Sequence, residues 1–416
     1  MSLIALPTQF RPRSCRLSLA VNHLAHASPY GSSEQVIDLL NDRWMLSCEL
    51  SENIRADAGW REGFVGALRG KVNTVNLHHF ARKVPAGTLR GTPVVLSAAL
   101  QGAASLILAG TPGATLAAGD MLGASGLLLM VAADCTADAT GVITVPLVNR
   151  LRKSIAGLTR ASTATHVNST GVLTTAAVDV PRFDYNPVTL VANGLLAEAS
   201  GTNLQLYSQD FANAAWIKAG VGTGVAPVVT INDGLAPDGT LTAAKIVFDQ
   251  GVGVTAGDQS NLQGAAATVA GQPYCQFWWL RTTDGSTVTM RADYGGVSSS
   301  VGSNLLTVTP VWTRFLVPAI NSASNTLFKQ VLRLRGTFGT STFASLHVWS
   351  AQFENALVHS SYIRTTSAPV TRAADITVPA IWDKPTAPFR MMANSGVGHL
   401  PGMTGALSFD FAEAIA

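Results

Sequence analysis

Apolar and polar residues alternate with a period of two through most of this chain, and a helical period is confined to one short stretch. In WTRFLVPA (312–319), Thr313, Phe315 and Val317 fall on one side and Arg314 and Leu316 on the other, the pattern of a strand with one buried face. FKQVLRLRG (328–336) sets Phe328, Gln330, Leu332 and Leu334 against Lys329, Val331, Arg333 and Arg335. CQFWWLRTTDGSTVTMRADYG (275–295) reads as a hairpin turning at Asp284-Gly285. Beyond that turn, Val288, Met290 and Ala292 oppose Thr287, Thr289 and Arg291. Short strands and frequent turns over residues 201–375 predict a two-sheet sandwich or jelly roll.

The helical exception is GWREGFVGALRGK (59–71), where Trp60, Phe64 and Leu68 recur every four residues and Gly70 ends the run. The segment SSEQVIDLLNDRW suits a helix or a strand, but the alternation in WMLSCEL (44–50) favours a strand. NTVNLHHFA and TPVVLSAAL read as strands, and LLLMVAADC and GVITVPL flank a turn, ADATG, built on Asp138 and Gly141. Residues 1–157 are thus a β-rich domain with one short helix. Residues 158–200, polar and Thr-rich, read as a linker or a strand arm that packs on neighbours. Residues 376–416 form a C-terminal extension whose scattered strand potential suits an extra strand or a partner contact. No repeat of 20–50 residues is visible. The expected fold class is mainly β.

Composition narrows the partners. The chain is 47% hydrophobic but only 13% charged, with 38 glycines and a formal charge of +3. About a quarter of a typical soluble protein is charged, so exposed faces here are built from Thr and Ser. No basic stripe of the kind that holds phosphates is present, and nucleic acid is not expected as a partner. Glycine, proline and Asp120 interrupt the most apolar stretch, 93–135, before it reaches spanning length, so no membrane insertion is expected. The N-terminal MSLIALPTQFRPRSC lacks the apolar core of a signal peptide. Cys15, Cys48, Cys135 and Cys275 are far apart in sequence and form no metal-ligand spacing, so they read as buried free thiols.

Two regions resemble bacteriophage proteins. NLQLYSQDFANAAWIKAG (203–220), APDGTLTAAKIV (236–247) and LHVWSAQFENALVHSSYIRTTSAPVTRAAD (346–375) resemble the jelly-roll modules of phage head fibres and tail spikes, relatives of carbohydrate-binding modules. There Trp349-Ser350-Ala351-Gln352 stands where the family usually has Trp-Gly-Ala-Gln, and Ser361-Tyr362-Ile363 and Thr371-Arg372-Ala373-Ala374-Asp375 complete the pattern. In the first domain, SPYGSSEQVIDLLNDRWMLSCEL, FVGALRGKVNTVNL and LAAGDMLGASGLLLMVAADCTADATGVITVPLVNRLR resemble a tail-associated family of long-tailed phages, with Gly119-Asp120 and ADATG the most characteristic parts. The match departs from that family before residue 93, where a Gly-rich segment is shortened to VPAGTLRG.

Candidate chemistry is sparse. His23 and His26, and the adjacent His78 and His79, lack zinc spacing, and neighbours on a strand face opposite ways. No nucleophile elbow, H-E-x-x-H or phosphate loop is present. Glycoside cleavage needs two carboxyl groups about 5–10 Å apart. Asp210, Asp233, Asp238, Asp249, Asp258, Asp284, Asp293 and Glu354 are available, but most sit in turn contexts where Asp serves the backbone. Calcium is the one ion such turns suggest, and no other cofactor is implied. The ligand-binding candidates are aromatic, because flat rings stack on sugars: Trp278, Trp279 and Tyr294. Trp278 and Trp279 must face opposite ways, so one is core; Trp216 and Trp349 read as core.

The resemblance implies a structural virion protein, not an enzyme: a tail fibre or baseplate appendage, assembled in the host cytoplasm, that contributes to host attachment. The first domain would dock on other tail or baseplate proteins. The second would meet host-surface glycan, in a homo-oligomer that the resemblance makes a trimer. A capsid head fibre or collar protein without receptor role, and a polysaccharide depolymerase, are the alternatives.

Overall fold

The computed structural model describes residues 2–51, 53–54, 59–264, 266–295, 300–320, 327–335, 342–392, 399–400, 403–404 and 407–414. It is mainly β, with strands throughout and one helix among the described residues. The chain divides into two compact units, one of Met1–Leu158 with Ile376–Ala416, the other Thr159–Asp375.

The first unit holds two six-stranded sheets. In Arg43–Leu50 the alternation that favoured a strand is realised: Trp44, Leu46, Cys48 and Leu50 are buried and pack with Phe64 and Leu68 of the helix Gly59–Leu68. Arg69 and Gly70 follow the helix with positive φ, the left-handed exit that glycine accepts without a Cβ clash. Residues 376–416, read as an extension suited to an extra strand or a partner contact, supply strands to both of these sheets. Ala387–Met391 and Leu407–Glu413 lie inside the first sheet, and Val378–Ile381 lies inside the second. Phe389, Phe409 and Phe411 then supply core that residues 1–157 lack. Gly119-Asp120 is structural too. Gly119 takes φ +85°, and the buried Asp120 carboxylate accepts the amides of Ala86, Gly87 and Ala117. In ADATG, Asp138 Oδ1 accepts from the amides of Thr140 and Val142 and from the Thr140 hydroxyl, the Asx-turn its composition predicts.

The second unit is an antiparallel sandwich. One sheet orders Val225–Gly234, Ala243–Asp249, Phe343–Glu354, Pro273–Thr282 and Thr313–Ile320; the facing sheet contains Ile217–Val221, Gln259–Gln263, Leu327–Arg335, Val288–Gly295 and Ser300–Val308. The core between them takes Val288, Met290, Ala292, Leu332, Leu334 and Val317, as alternation requires. The side chain of Phe328 and residue Gly336 lie outside the described residues. The expected 275–295 hairpin is not one. Pro273–Thr282 pairs with Thr313–Ile320 and Phe343–Glu354, whereas Val288–Gly295 pairs in the opposite sheet. Asp284-Gly285 therefore bridges the two layers. Local turn chemistry is the same for both connections, and only the burial of both inner faces separates them.

Residues 158–200, read as a linker or a strand arm that packs on neighbours, hold paired strands. Ala164–Val167 pairs with Leu173–Ala176, and Phe183–Tyr185 pairs with Ala192–Leu195. These hairpins are bound into the unit by fully buried arginines. Arg160 and Arg182 both reach Asp375, at 3.0 and 2.6 Å, and Arg182 also reaches Glu198 at 2.8 Å. Arg372 lies 3.6 Å from Glu198 and 3.7 Å from Asp375. Salt-bridged charge substitutes here for the large apolar side chains that the stretch lacks.

Candidate functional site

The aromatic candidates separate cleanly by burial. Trp278 is wholly buried in the sandwich core, 5.6 Å from the Trp216 ring, and its indole N–H donates to Gln276 Oε1 at 2.8 Å. Tyr294 is equally buried; its hydroxyl donates to the Val317 carbonyl and accepts from the Gln276 amide. Inter-sheet packing takes Trp278, and Tyr294 lies inside the same core instead of at the edge its position suggests. Trp279 faces the other way, out of the sandwich, and packs with Phe277, Trp349 and Tyr362 under the 164–195 hairpins.

The split between the tryptophans is sharpened by a bulge. Trp278 pairs with Ala351 and Trp279 with Trp349, so Ser350 is an extra residue without a partner across the strand. Ser350 adopts φ +46°, and its buried hydroxyl has no hydrogen bond. Glycine takes such a φ without the strain that a Cβ brings.

Outside the sandwich, Trp279 lies where two recesses meet. One, of about 430 Å³, runs beneath the hairpins past Tyr185, Asp184, His166, Arg314 and His359. The other, of about 410 Å³, runs past Trp312, Arg281 and Pro310. Val167, Leu173, Pro187 and Trp279 line both. Trp279 is 5% exposed and offers only an edge, whereas Tyr185 and Trp312 are half-buried and present more of their rings. The Trp312 ring is held by the Arg281 guanidinium 5.0 Å above it and by donation from its N–H to the Leu235 carbonyl.

Polar groups surround this aromatic line. Arg314 stacks on Phe277 at 4.2 Å, and its Nη2 donates to the Ser360 carbonyl at 2.7 Å and to His359 Nδ1. Burial pushes its pKa down to about 10, partly offset by Glu198, Glu354 and Asp184, so it stays charged at neutral pH. Burial and the Arg314 charge hold His359 down at about 4, and burial lowers His166 as well. Both imidazoles are therefore neutral at pH 7, hydrogen-bonding groups without charge. His166 Nδ1 is buried and has no partner. The two wall carboxylates are already engaged. Asp184 accepts from the Val167 amide and from Asn193, and Glu198 from the Ser361 amide and Arg182.

Of the residues that line the first recess, the sequence singled out Trp279 but not Tyr185, Arg314, His166 or His359. The signal for Arg314 was present in its placement on the outward side of its strand; the others lie on hairpins read as linker, or in the closing run. The turn aspartates serve the backbone: Asp238, Asp249 and Asp284 accept from amides two residues on, and Asp258 accepts from Thr223 and Thr255. Asp293 is buried between Arg291 and Arg333. Among the described residues no three His, Cys, Asp or Glu side chains gather as metal ligands, and no helix is long and apolar enough to cross a membrane. Cys15 and Cys48, distant in sequence, are cross-strand partners with sulfurs 3.0 Å apart.

No family model matches the chain, and no curated protein matches it. Among solved structures, the enzymatically active domain of tailspike protein 4 of bacteriophage CBA120 is similar over 36% of this chain, at 12% identity and a TM-score of 0.27. The chain spans 21% of that tailspike domain. A family 11 carbohydrate-binding module from Clostridium thermocellum, in complex with a β-1,3-1,4-mixed-linked tetrasaccharide, overlaps 39% of this chain and 100% of its own, at 10% identity and a TM-score of 0.27. TmCBM61 in complex with β-1,4-galactotriose overlaps 37% and 95%, at 13% identity and a TM-score of 0.25. Overlaps this partial leave the role of the groove to its own residues.

Proposed function

We propose that this chain is an attachment protein of a tailed-phage virion, located on the tail, whose second unit binds host-surface saccharide in the groove at Trp279. The observation that carries the binding role is the groove itself: a concave surface with two half-buried aromatic rings, Tyr185 and Trp312, on either side of Trp279 and flanked by neutral imidazoles and amides. Rings that stack on pyranose C–H faces, with donors and acceptors for hydroxyls, are what an oligosaccharide requires. The virion assignment rests on the order of family-like segments in both halves of the sequence.

Binding without turnover is favoured by the wall carboxylates. Asp184 and Glu198 each accept two hydrogen bonds from the protein, which favour the ionised carboxylate and weigh against either as the general acid that glycoside cleavage needs. Glycan-array binding by the purified chain, weakened at least about tenfold by Tyr185→Ala or Trp312→Ala, tests the reading. Array silence sinks it, and release of shorter oligosaccharides on incubation replaces it with a depolymerase. Cryo-electron microscopy of the particle tests location, because density on the capsid or neck makes the chain a head fibre or collar protein.

Oligomerisation is part of the proposal. The hairpin His23–Ala27/Glu34–Asp38 is exposed along both strands, with Leu24, Val36 and Ile37 in solvent. Two strands alone are marginal in water, and contact with other copies in a homotrimer, or with tail and baseplate proteins, would cover this arm. Weak sugar sites presented together would then multiply avidity.

A further inference from the structure

We infer that the saccharide is acidic and that Arg314 binds its carboxylate; the inference rests on the groove being a saccharide site. Arg314 is part of the cavity wall, stacked on Phe277 and fixed through one nitrogen, Nη2, to the Ser360 carbonyl and His359 Nδ1. Its Nη1 gives no hydrogen bond to the protein, and its Nε is buried without a partner. Among the described residues no carboxylate forms an ion pair with it.

The nearby negative charges are spoken for. Glu198 is paired with Arg182, Asp184 is held by a backbone amide and Asn193, and Glu354 accepts from Ser360 and Gln352. Burial also raises Glu354 toward its neutral form. Arg160, Arg182 and Arg372 already neutralise Asp375 and Glu198 with one positive charge to spare. Glu198, Glu354 and Asp184 offset the burial of this guanidinium only in part and none forms an ion pair with it, and burial of such a charge is costly until it is paired. A hexuronate or similar sugar acid supplies that anion, and its ring reaches the same cavity as Tyr185 and the unpartnered His166 Nδ1. Arginine suits the task because its flat fork stays charged even after burial.

The experiment uses the full chain on an array of bacterial polysaccharides, each printed intact and again after chemical reduction of its carboxyl groups to alcohols. The expected result is binding to intact acidic polysaccharides that falls at least about tenfold on reduction, with R314Q falling to the reduced-glycan level. R314K, which keeps the charge but loses the fork, should bind between the two. Thermal unfolding of both variants separates loss of the site from loss of the fold. Equal binding to intact and reduced forms, or R314Q unchanged, overturns the acidic-ligand inference and leaves saccharide binding standing. Silence across the array removes both.

Discussion

Arg182 Nη2 lies 2.6 Å from Asp375 Oδ2, both side chains wholly buried and 193 residues apart in sequence. This pair, with Arg160 and Arg372, ties the hairpins that roof the groove to the closing run Thr371-Arg372-Ala373-Ala374-Asp375. The run Thr371-Arg372-Ala373-Ala374-Asp375 is thus part of a buried clasp. The groove exists because the clasp holds a polar, Thr-rich segment against the sandwich.

Breaking the clasp from one side should cost far more than an exposed ion pair would. Arg182→Ala removes the closest cationic partner of both Asp375 and Glu198, leaving them Arg160 and the more distant Arg372, and a buried pair broken this way costs about 3–5 kcal/mol. Urea unfolding should show that loss, against less than about 1 kcal/mol for Arg150→Ala, whose pair with Asp38 is half-exposed.

Trp278 in the core and Trp312 in the groove wall should fail differently. Trp278→Ala opens a void in the sandwich core and should destabilise by about 3–5 kcal/mol. Trp312→Ala, in the groove, should leave the melting temperature within a few degrees of wild type while glycan binding falls. Equal destabilisation by both would contradict the placement of Trp312 in the groove wall.

Ser350→Gly should stabilise the protein. The substitution relieves a positive φ and deletes a buried hydroxyl without a partner, together worth about 1 kcal/mol after glycine's entropy in the unfolded chain is subtracted. Denaturant titration showing a loss would refute the strain at the bulge.

Acid should weaken the second unit before most carboxylates titrate. His359 is held at about 4 when folded and returns to about 6.5 when unfolded. Between those values the unfolded chain binds a proton that the folded chain refuses, so stability falls as pH drops from 6.5 to 4 and this contribution levels off below. His166 acts in the same direction, whereas Glu354, raised by burial, opposes it near the carboxylate range. His359→Gln should flatten the stability profile between pH 6.5 and 4, measured by unfolding at each pH.

Cys15 and Cys48 should join under a mild thiol oxidant. Their strands are in register and their sulfurs already touch, with Cys15 lowered and Cys48 raised by the hydrogen bond they share. Diamide should leave two titratable thiols of the four, with Cys48→Ala abolishing the change; Cys135 and Cys275 should stay reduced.

Alternation alone determined much of this protein. It placed Arg43–Leu50, Val288–Gly295 and Leu327–Arg335 with the correct faces inward, because side-chain period follows directly from backbone geometry. Helix spacing found Gly59–Leu68, and turn chemistry found Asp138, for equally local reasons. Pairing was a different matter. Asp284-Gly285 serves a hairpin or a crossing between sheets equally well, and only two competing sheets decided which. Residues 158–200 read equally as a linker or a strand arm because their stabilising partners, Asp375 and the closing run, come almost two hundred residues later. Ligand-facing position was least legible of all. A strand shows which residues share a face but not what covers that face, so Trp278 and Trp279 were separable in principle, yet only the tertiary packing put one in the core and the other beside a groove.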